Sequence, residues 1–168
     1  VDSLAHRASA LAVLSLKGKG AILSNERSSP YYHHLDILLN GKSFTIDVVL
    51  DENLHRIGKA IRTGDGVCVA DASTLFATKA ACLVSRCSEK DLFDLGWLIS
   101  HIKNFNVGDL IEAGQKMDGG LTCETLLISI QGAVLRKERC HFILPGASMT
   151  LDKAYKKIVS LQKKLVQE

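Results

Sequence analysis

The stretch YYHHLDILLNGKSFTIDVVL, residues 31–50, decides the fold of the first part of this chain. Two runs of alternating apolar residues flank Asn40-Gly41, and this dipeptide accepts the positive φ angles of a two-residue type I′ turn. We therefore predict a β-hairpin over residues 31–50. Because a two-residue loop fixes the register of its strands, Leu39 should face Lys42, and the pairing should continue outward from there.

The predicted register sorts the side chains of the hairpin onto two faces. The apolar face places three residues of the first strand opposite three of the second: His33, Leu35 and Ile37 opposite Val48, Ile46 and Phe44. The other face is polar, since His34 meets Asp47 and Asp36 meets Thr45. A face with two carboxylates and an imidazole is costly to cover with apolar structure, so we expect it to meet water or a polar ligand.

Two explanations are open for the polar face of the hairpin. Carboxylates that project from adjacent strands supply hard oxygen ligands for Mg²⁺, which typically takes one or two of them together with water and phosphate oxygens. Alternatively, the face is the solvated outer surface of a two-layer sheet, as half-exposed hairpins commonly are. The residue pattern by itself favours neither explanation.

Helical patterns lie on both sides of the hairpin. Apolar residues recur at helical spacing over residues 4–16, and the glycines of KGKG then favour a chain reversal. After the β-rich run GVCVAD, Asp71 or Ser73 can cap a helix that runs to about Arg86. Further helical patterns follow at residues 107–117, 122–135 and 150–166.

A second capped helix is predicted between these patterns. The residues SEKD fit a capping box, in which Ser88 and Asp91 satisfy each other's free backbone donors. The helix that starts there should run to about Lys103.

The order of the predicted elements indicates the fold class. Strands come first and helices follow, which is typical of the α+β class rather than of alternating βαβ units. A chain of 168 residues with 46% hydrophobic content can bury one sizeable core. We expect a single domain, residues 1–168, with a sheet-containing part at residues 1–71 and a helical part at residues 72–168.

The composition excludes several classes of protein. A net charge of +3, from 21 basic and 18 acidic residues, does not require nucleic acid or a membrane as partner. No apolar run approaches the roughly 18 to 20 residues that span a bilayer, and no signal-peptide order is visible, so we expect a soluble, cytoplasmic protein. The five cysteines are odd in number and contain no C-x-x-C, which favours reduced thiols over disulfides or a zinc site.

Charged residues gather around the helix break in ATKAACLVSRCSEKDLFDLGWLI, residues 77–99. Lys79 and Arg86 lie two helical turns apart and share a face, while Asp91 and Asp94 share a face of the next helix. A lysine and an arginine held near carboxylates suit the binding of a triphosphate. The alternative is a capped helix with solvated ion pairs, each worth about 0 to 1 kcal/mol, and composition alone favours that alternative.

The order of these residues resembles the AbiEii-type nucleotidyltransferase family of abortive-infection and toxin-antitoxin systems. The order is K, six residues, R, three residues, K-D, two residues, D-L, within FATKAACLVSRCSEKDLFDLGWLI. The hairpin that ends in FTIDVVL is similar to the strand pair that the family places before this helix. The resemblance covers residues 31–99, and K-D-x-x-D-L is its most distinctive part.

The resemblance implies a nucleotidyltransferase-like mixed β-sheet followed by a helical C-terminal part, which uses Mg²⁺ to transfer a nucleotide from an NTP to an acceptor. Asp47 and Lys79 would be catalytic: Asp47 matches the third carboxylate of the metal site, and Lys79 matches the lysine that contacts phosphate. The other residues that the resemblance implies are Arg86, Lys90, Asp91 and Asp94 for nucleotide and phosphate binding, and Asp36 and His34 as further candidate metal ligands beside Asp47.

The resemblance also implies partners. They are the NTP, an RNA acceptor and a cognate antitoxin protein, with no membrane. The final helix, residues 150–166, carries lysines on one side and apolar residues on the other. A basic amphipathic helix can guide an RNA acceptor through its phosphates, although such a helix is more often a solvated face over a packed stripe.

The first motif of the family is not visible in this sequence. That motif is a glycine-serine turn followed by a D-x-D pair, which supplies the first two metal ligands. Asp2 stands where the second member of the pair would lie if the preceding strand had been cut away. Two alternatives follow: the sequence is an N-terminally shortened piece of an active enzyme, or the fold has lost its catalytic pair and serves as a module that binds a partner protein or RNA.

Overall fold

The computed structural model describes residues 4–51, 57–143 and 146–167, so Asp2 lies outside the described residues. Within them the chain forms six α-helices and five β-strands, with most of the helices in the C-terminal part. The predicted α+β class is therefore confirmed. The chain divides into two compact units, residues 1–52 and 53–168. That the two units form one domain, with a division at residue 71, stays a prediction.

The first unit is a helix on a three-stranded antiparallel sheet. The sheet order is β1-β2-β3, and α1 contacts all three strands. The elements are α1 (Leu4–Gly18), β1 (Ile22–Ser29), β2 (Tyr32–Leu39) and β3 (Lys42–Val49). The helix α1 agrees with the periodicity of residues 4–16, and it extends a little further to the glycine that begins the turn.

The β2–β3 hairpin has the register that its turn predicts. Leu39 pairs with Lys42, and the pairing continues without interruption to Tyr32 and Val49. The turn residues Asn40 and Gly41 have φ angles of 52° and 74°, in the left-handed region that a type I′ turn requires. The dipeptide therefore sets which side chains share each face of the hairpin.

The apolar face of the hairpin is buried on one strand only. The side chains of His33, Leu35 and Ile37 on β2 are buried, as predicted. Those opposite them on β3 are half-buried or exposed, and Phe44 is 40% exposed. The difference arises because β2 is the central strand of the described sheet, whereas β3 has a neighbour on only one side.

The strand β1 was not predicted. Its sequence, ILSNERSS, is polar and nearly all exposed, so it lacks the alternation that marks a half-buried strand. A bulge between Ser24 and Arg27 further interrupts the pairing with β2, and Asn25 there has a φ of 49°. Tertiary pairing with β2, rather than local pattern, makes this segment a strand.

The second unit is a two-stranded hairpin followed by a helical bundle. The hairpin pairs β4 (Ala60–Arg62) with β5 (Cys68–Ala70). The helices are α2 (Ala72–Ser85), α3 (Glu89–Ile99), α4 (Val107–Gln115), α5 (Cys123–Gly132) and α6 (Leu151–Gln167), with a 3₁₀ turn at Lys137–Arg139. The helix α2 contacts α3, α4 and α5, and α6 packs on α3 and α5. Leucine and isoleucine side chains between the helices form the core.

Side chains that hydrogen-bond to the backbone set where helices of the second unit begin and end. Asp71 is the N-cap of α2, and its Oδ1 accepts a hydrogen bond of 2.8 Å from the amide of Thr74. The helix α3 ends at Ile99, before the predicted Lys103. Ser100 and His101 explain the early end, because the hydroxyl and the ring of these residues both contact the carbonyl oxygen of Trp97, at 2.6 and 2.8 Å.

No helix in the described part of the chain is long and apolar enough to cross a bilayer.

Candidate functional site

The carboxylate of Asp91 lies at the junction of α2 and α3, and its side chain is only 1% exposed. It accepts hydrogen bonds from three residues. Lys79 Nζ lies 3.1 Å from Oδ1, and Ser88 Oγ lies 2.5 Å from Oδ2. The guanidinium of Arg86 spans both oxygens, with Nε 2.8 Å from Oδ2 and Nη2 3.0 Å from Oδ1. A bidentate arginine contact of this kind is both strong and directional.

The turn between α2 and α3 brings these groups together. The amides of Arg86 and Cys87 both donate to the carbonyl oxygen of Cys82, which closes α2, and Cys87 adopts a φ of 38°. Ser88 then caps α3. Because a left-handed residue reverses the chain within one step, Arg86 is placed beside Asp91 at the start of the next helix.

One of the two hydrogen bonds of the predicted capping box is present. The Ser88 hydroxyl accepts a hydrogen bond from the amide of Asp91 at 3.3 Å, as expected of an N-cap. The side chain of Asp91 does not complete the box at the Ser88 amide; it receives the Ser88 hydroxyl together with Lys79 and Arg86. The cations compete successfully because an ionised donor makes a stronger hydrogen bond than a neutral amide.

Asp94 adds one more cation, Lys90, to this network. Its Oδ2 lies 2.8 Å from Lys79 Nζ and 2.9 Å from Lys90 Nζ. We call Lys79, Arg86, Lys90, Asp91 and Asp94 the charged cluster. The structure thus brings together all five residues that the sequence placed at the helix break. The cluster has three cations and two carboxylates, so it retains a positive charge that an anion can neutralise.

Burial and pairing together set the protonation of the charged cluster. Burial by itself raises the pKa of Asp91, but the hydrogen bonds from Arg86, Ser88 and Lys79 outweigh it and hold that pKa well below its usual range. Burial likewise lowers the pKa of Lys79, and its contacts with Asp94 and Asp91 reverse the shift, so the pKa is raised. The hydrogen bond to Asp91 raises the pKa of Arg86. All three side chains are therefore charged at neutral pH.

A cavity of about 240 Å³ opens beside Lys79. Its charged lining residues are Lys79 and Asp94, and its other walls include Phe93 and Trp97. Trp97 is 61% exposed, which is unusual for so large an apolar side chain. The cavity is therefore lined by a lysine and by an aromatic residue, and this combination suits a ligand with an anionic group and a planar ring.

The polar face of the hairpin forms a separate chain of hydrogen bonds. His34 lies between two carboxylates, with Nδ1 2.8 Å from Asp47 Oδ1 and Nε2 3.2 Å from Asp36 Oδ1. The hydroxyl of Tyr32 donates to Asp47 Oδ1 at 2.7 Å. The hydrogen bonds from Tyr32 and His34 lower the pKa of Asp47, so this carboxylate is ionised at neutral pH.

The residues around Asp47 do not form a metal site in the described part of the chain. No group of three or more histidine, cysteine, aspartate or glutamate side chains there is arranged to hold a metal ion. Both ring nitrogens of His34 face carboxylates, and Asp47 Oδ1 already accepts from Tyr32, so the lone pairs point to neighbours rather than to one shared centre.

The predicted catalytic residues belong to different units. Asp47 lies in the unit of residues 1–52, and Lys79 lies in the unit of residues 53–168. Each unit has its own polar arrangement: the hydrogen-bonded chain at Asp47 and the charged cluster at Lys79. That Asp47 and Lys79 act in one site stays a prediction.

Sequence reasoning missed two functional candidates. Trp97 follows Asp94 by three residues on α3, and this helical spacing signals that both can line one cavity. Tyr32 reaches Asp47 diagonally across the hairpin, from a position paired with Val49. A diagonal contact of this kind follows from the register, since long side chains reach the neighbour two residues away.

No protein-family model matches the chain, and no curated protein and no solved structure matches it either. The functional interpretation therefore rests on the order of the charged residues and on the geometry of their side chains.

Proposed function

We propose that this chain is a nucleotidyltransferase-like protein of the AbiEii type, which transfers a nucleotide from an NTP to an acceptor such as RNA. The observation that carries the proposal is the position of Lys79. Its ammonium group is held by Asp91 and Asp94, and Lys79 lines a cavity together with Trp97. The order of the five residues in the charged cluster supports the same family.

In this proposal three side chains of the charged cluster have roles. Lys79 contacts the phosphate oxygens of the NTP, and Asp91 fixes the position of Lys79 and Arg86 when no ligand is present. Arg86 directs Nε and Nη2 to Asp91, while its side chain is 62% exposed. The remaining guanidinium donors can therefore stabilise the charge that develops on the leaving pyrophosphate.

The metal belongs to the proposal only through the family resemblance. In a nucleotidyltransferase, bound Mg²⁺ supplies a positive charge that orients and neutralises the phosphates. The resemblance assigns that ion to Asp47, with Asp36 and His34 as further candidates, but these side chains do not fit a metal site by themselves. The roles proposed for Lys79 and Arg86 require no step through the metal. A cognate antitoxin and a cytoplasmic location belong to the same proposal.

Binding of labelled NTPs to the purified chain tests the role of Lys79. We expect Lys79→Ala to weaken NTP binding by about tenfold or more, because a hydrogen bond to a charged group is lost. Lys79→Arg should recover part of the affinity. The matched control is Lys116→Ala, since Lys116 is another lysine that pairs with a carboxylate one turn away, Glu112, at 3.6 Å. Circular dichroism should show that all variants are folded.

Transfer is tested by incubation with NTPs labelled at the α-phosphate and with RNA. Label should enter the RNA when the protein carries the upstream segment that would supply the D-x-D pair, and it should be lost in both Asp47→Ala and Lys79→Ala. Wild-type rates in these two variants would reject their assignment as catalytic residues. Equal NTP affinity in the Lys79→Ala and Lys116→Ala variants would reject the phosphate site itself.

The alternative is a catalytically inactive module of the same fold that binds a partner protein or RNA. The observation that favours it is the lack of a metal-holding group among the described side chains. This alternative predicts no metal-dependent transfer to any acceptor, together with saturable binding of a macromolecule.

A further inference from the structure

A second cavity lies between α3 and α6 and has a volume of about 330 Å³. Its apolar lining includes Phe93, Trp97 and Leu161, and its charged lining residues are Lys157 and Lys164. We call it the Trp97 groove. Phe93 and Trp97 also line the cavity beside Lys79, so the two cavities share a wall.

Trp97 is the dominant exposed feature of this groove. It is the single tryptophan of the chain, and 61% of it is exposed. Its ring lies 4.2 Å from the ring of His101, at an angle of 41°. A large aromatic ring at the surface offers an open face on which a planar ligand can stack.

The lysines of α6 form a continuous basic stripe beside Trp97. At helical spacing these lysines share one side of α6, whereas Ala154, Ile158 and Leu165 are buried on the opposite side. The stripe consists of five exposed residues, namely Lys153, Lys156, Lys157, Lys163 and Lys164. From its first to its last member it extends about 16 Å, at the helical rise of about 1.5 Å per residue.

The charged lining of the Trp97 groove is basic. No carboxylate lines the Trp97 groove in the described part of the chain. Asp152, in the first turn of α6, forms an ion pair with Lys137, whose Nζ lies 2.5 Å from Oδ1. Lys164 places its ammonium 5.9 Å from the centre of the Phe105 ring. The groove therefore combines apolar walls, an open aromatic face and cations on one rim.

We propose that the Trp97 groove binds single-stranded nucleic acid, with a base stacked on Trp97 and the adjoining phosphates contacted by Lys157 and Lys164. Aromatic rings beside a positively charged track are the general means by which proteins bind single strands, because every base has a face that can stack. A duplex hides its bases within the helix and cannot use the ring in this way. The inference rests on the proposed function in that it gives the RNA acceptor a binding site, and binding without transfer tests it separately.

The burial of α6 argues against a membrane surface as the partner. A basic amphipathic helix binds a bilayer by inserting its apolar face below the headgroups. In α6 that face is already packed in the core, where Ala154, Ile158 and Leu165 are at most 4% exposed. The lysines and the groove lie at the surface, and these suit a flexible polyanion that carries rings.

Fluorescence of the single tryptophan gives a direct test. Titration of the chain with an oligouridylate should quench Trp97 saturably, because stacking places a base on the indole. The affinity should fall as salt rises, with a log–log slope of about −1.4 for two phosphate contacts on a single strand. A duplex RNA should bind weakly without quenching. Absence of saturable quenching would overturn the proposal.

Variants separate stacking from charge, with a fluorescein-labelled oligouridylate and anisotropy as the readout. Trp97→Ala should weaken binding by roughly 5-fold to 100-fold, and Trp97→Phe should weaken it less, since a smaller ring still stacks. The double variant Lys157→Ala/Lys164→Ala should weaken binding and flatten the salt dependence. Lys116→Ala should bind like the wild type.

Three results would contradict the assignment to the groove. They are equal loss of affinity in the Lys116→Ala and Lys157→Ala/Lys164→Ala variants, full affinity in Trp97→Ala, and stronger binding to phosphatidylserine vesicles than to the oligouridylate. Circular dichroism of each variant distinguishes loss of binding from loss of fold.

Discussion

Two carboxylates of this molecule receive similar hydrogen bonds in opposite surroundings. Asp91 accepts from a lysine, an arginine and a serine at the α2–α3 junction, and its side chain is 1% exposed. Asp47 accepts from a tyrosine and contacts a histidine on the hairpin, and its side chain is 48% exposed. The pKa of each is lowered by its partners.

We expect burial, rather than the number of contacts, to decide how much each network contributes to the free energy of unfolding. A buried ion pair is costly to break, because the partner that remains is left charged in a medium that solvates it poorly. An exposed pair loses little, because water replaces the missing partner. The charged cluster therefore stabilises the second unit. The hydrogen bonds around Asp47 contribute less to stability, so they can rearrange when a ligand binds.

The largest change in the free energy of unfolding is expected when Asp91 is removed. Asp91→Ala leaves Lys79 without one of its two carboxylates and leaves Arg86 without its bidentate partner. Because Lys79 is largely buried, we expect the free energy of unfolding to fall by about 3 kcal/mol, at the lower end for buried pairs since Arg86 can rehydrate. Urea denaturation followed by circular dichroism measures the change.

A matched variant within the cluster sharpens the result. Asp94→Ala removes a carboxylate that is 29% exposed, so its effect should be clearly smaller than that of Asp91→Ala. Equal losses in the two variants would show that burial does not rank these contacts.

The contribution of Asp91 to stability should depend on pH. Since the pKa of Asp91 is depressed in the folded state, its stabilisation is complete above the unfolded pKa of about 3.9 and is lost as pH falls through the folded value. Asp91→Asn should therefore be less stable than the wild type at neutral pH, and the gap should narrow below about pH 4. Thermal unfolding across acidic pH tests this, and a constant gap would show that Asp91 has an ordinary pKa.

The smallest effect is expected on the hairpin. Asp47→Asn keeps the shape of the side chain and removes its charge at a half-exposed position, so the free energy of unfolding should change by less than about 1 kcal/mol. Urea denaturation under the conditions used for Asp91→Ala allows a direct comparison. A loss as large as that of Asp91→Ala would place Asp47 among the structural residues and weaken its assignment to a ligand site.

The sequence predicted those elements of the fold that have local causes. Asn40-Gly41 predicted both the β2–β3 hairpin and its register, since the turn type depends on two residues alone. The N-cap Ser88 was found in the same way, and the N-cap Asp71 was one of two candidates beside Ser73. The strand β1 and the early end of α3 were missed, because the first depends on pairing with β2 and the second on side chains that compete for one carbonyl oxygen.

The sequence predicted which residues lie in the charged cluster, but it did not predict which hydrogen bonds they make. Helical spacing brought the residues of the charged cluster to one place, and the structure agrees. The same reasoning assigned Asp91 to a backbone cap, whereas its side chain binds two cations and a hydroxyl. Competition between donors depends on distances across the α2–α3 junction, and a linear pattern does not contain those distances.

The sequence by itself determined the α+β class, the hairpin register and the clustering of charge at the helix break, because each follows from turn residues or from the 2.0 and 3.6 residue periods. The tertiary structure alone decided that Asp91 is buried and Asp47 exposed, and that Trp97 lies open beside the lysines of α6. Burial arises from packing between segments distant in the chain, and together with the charged partners it sets the protonation of Asp91 and Lys79.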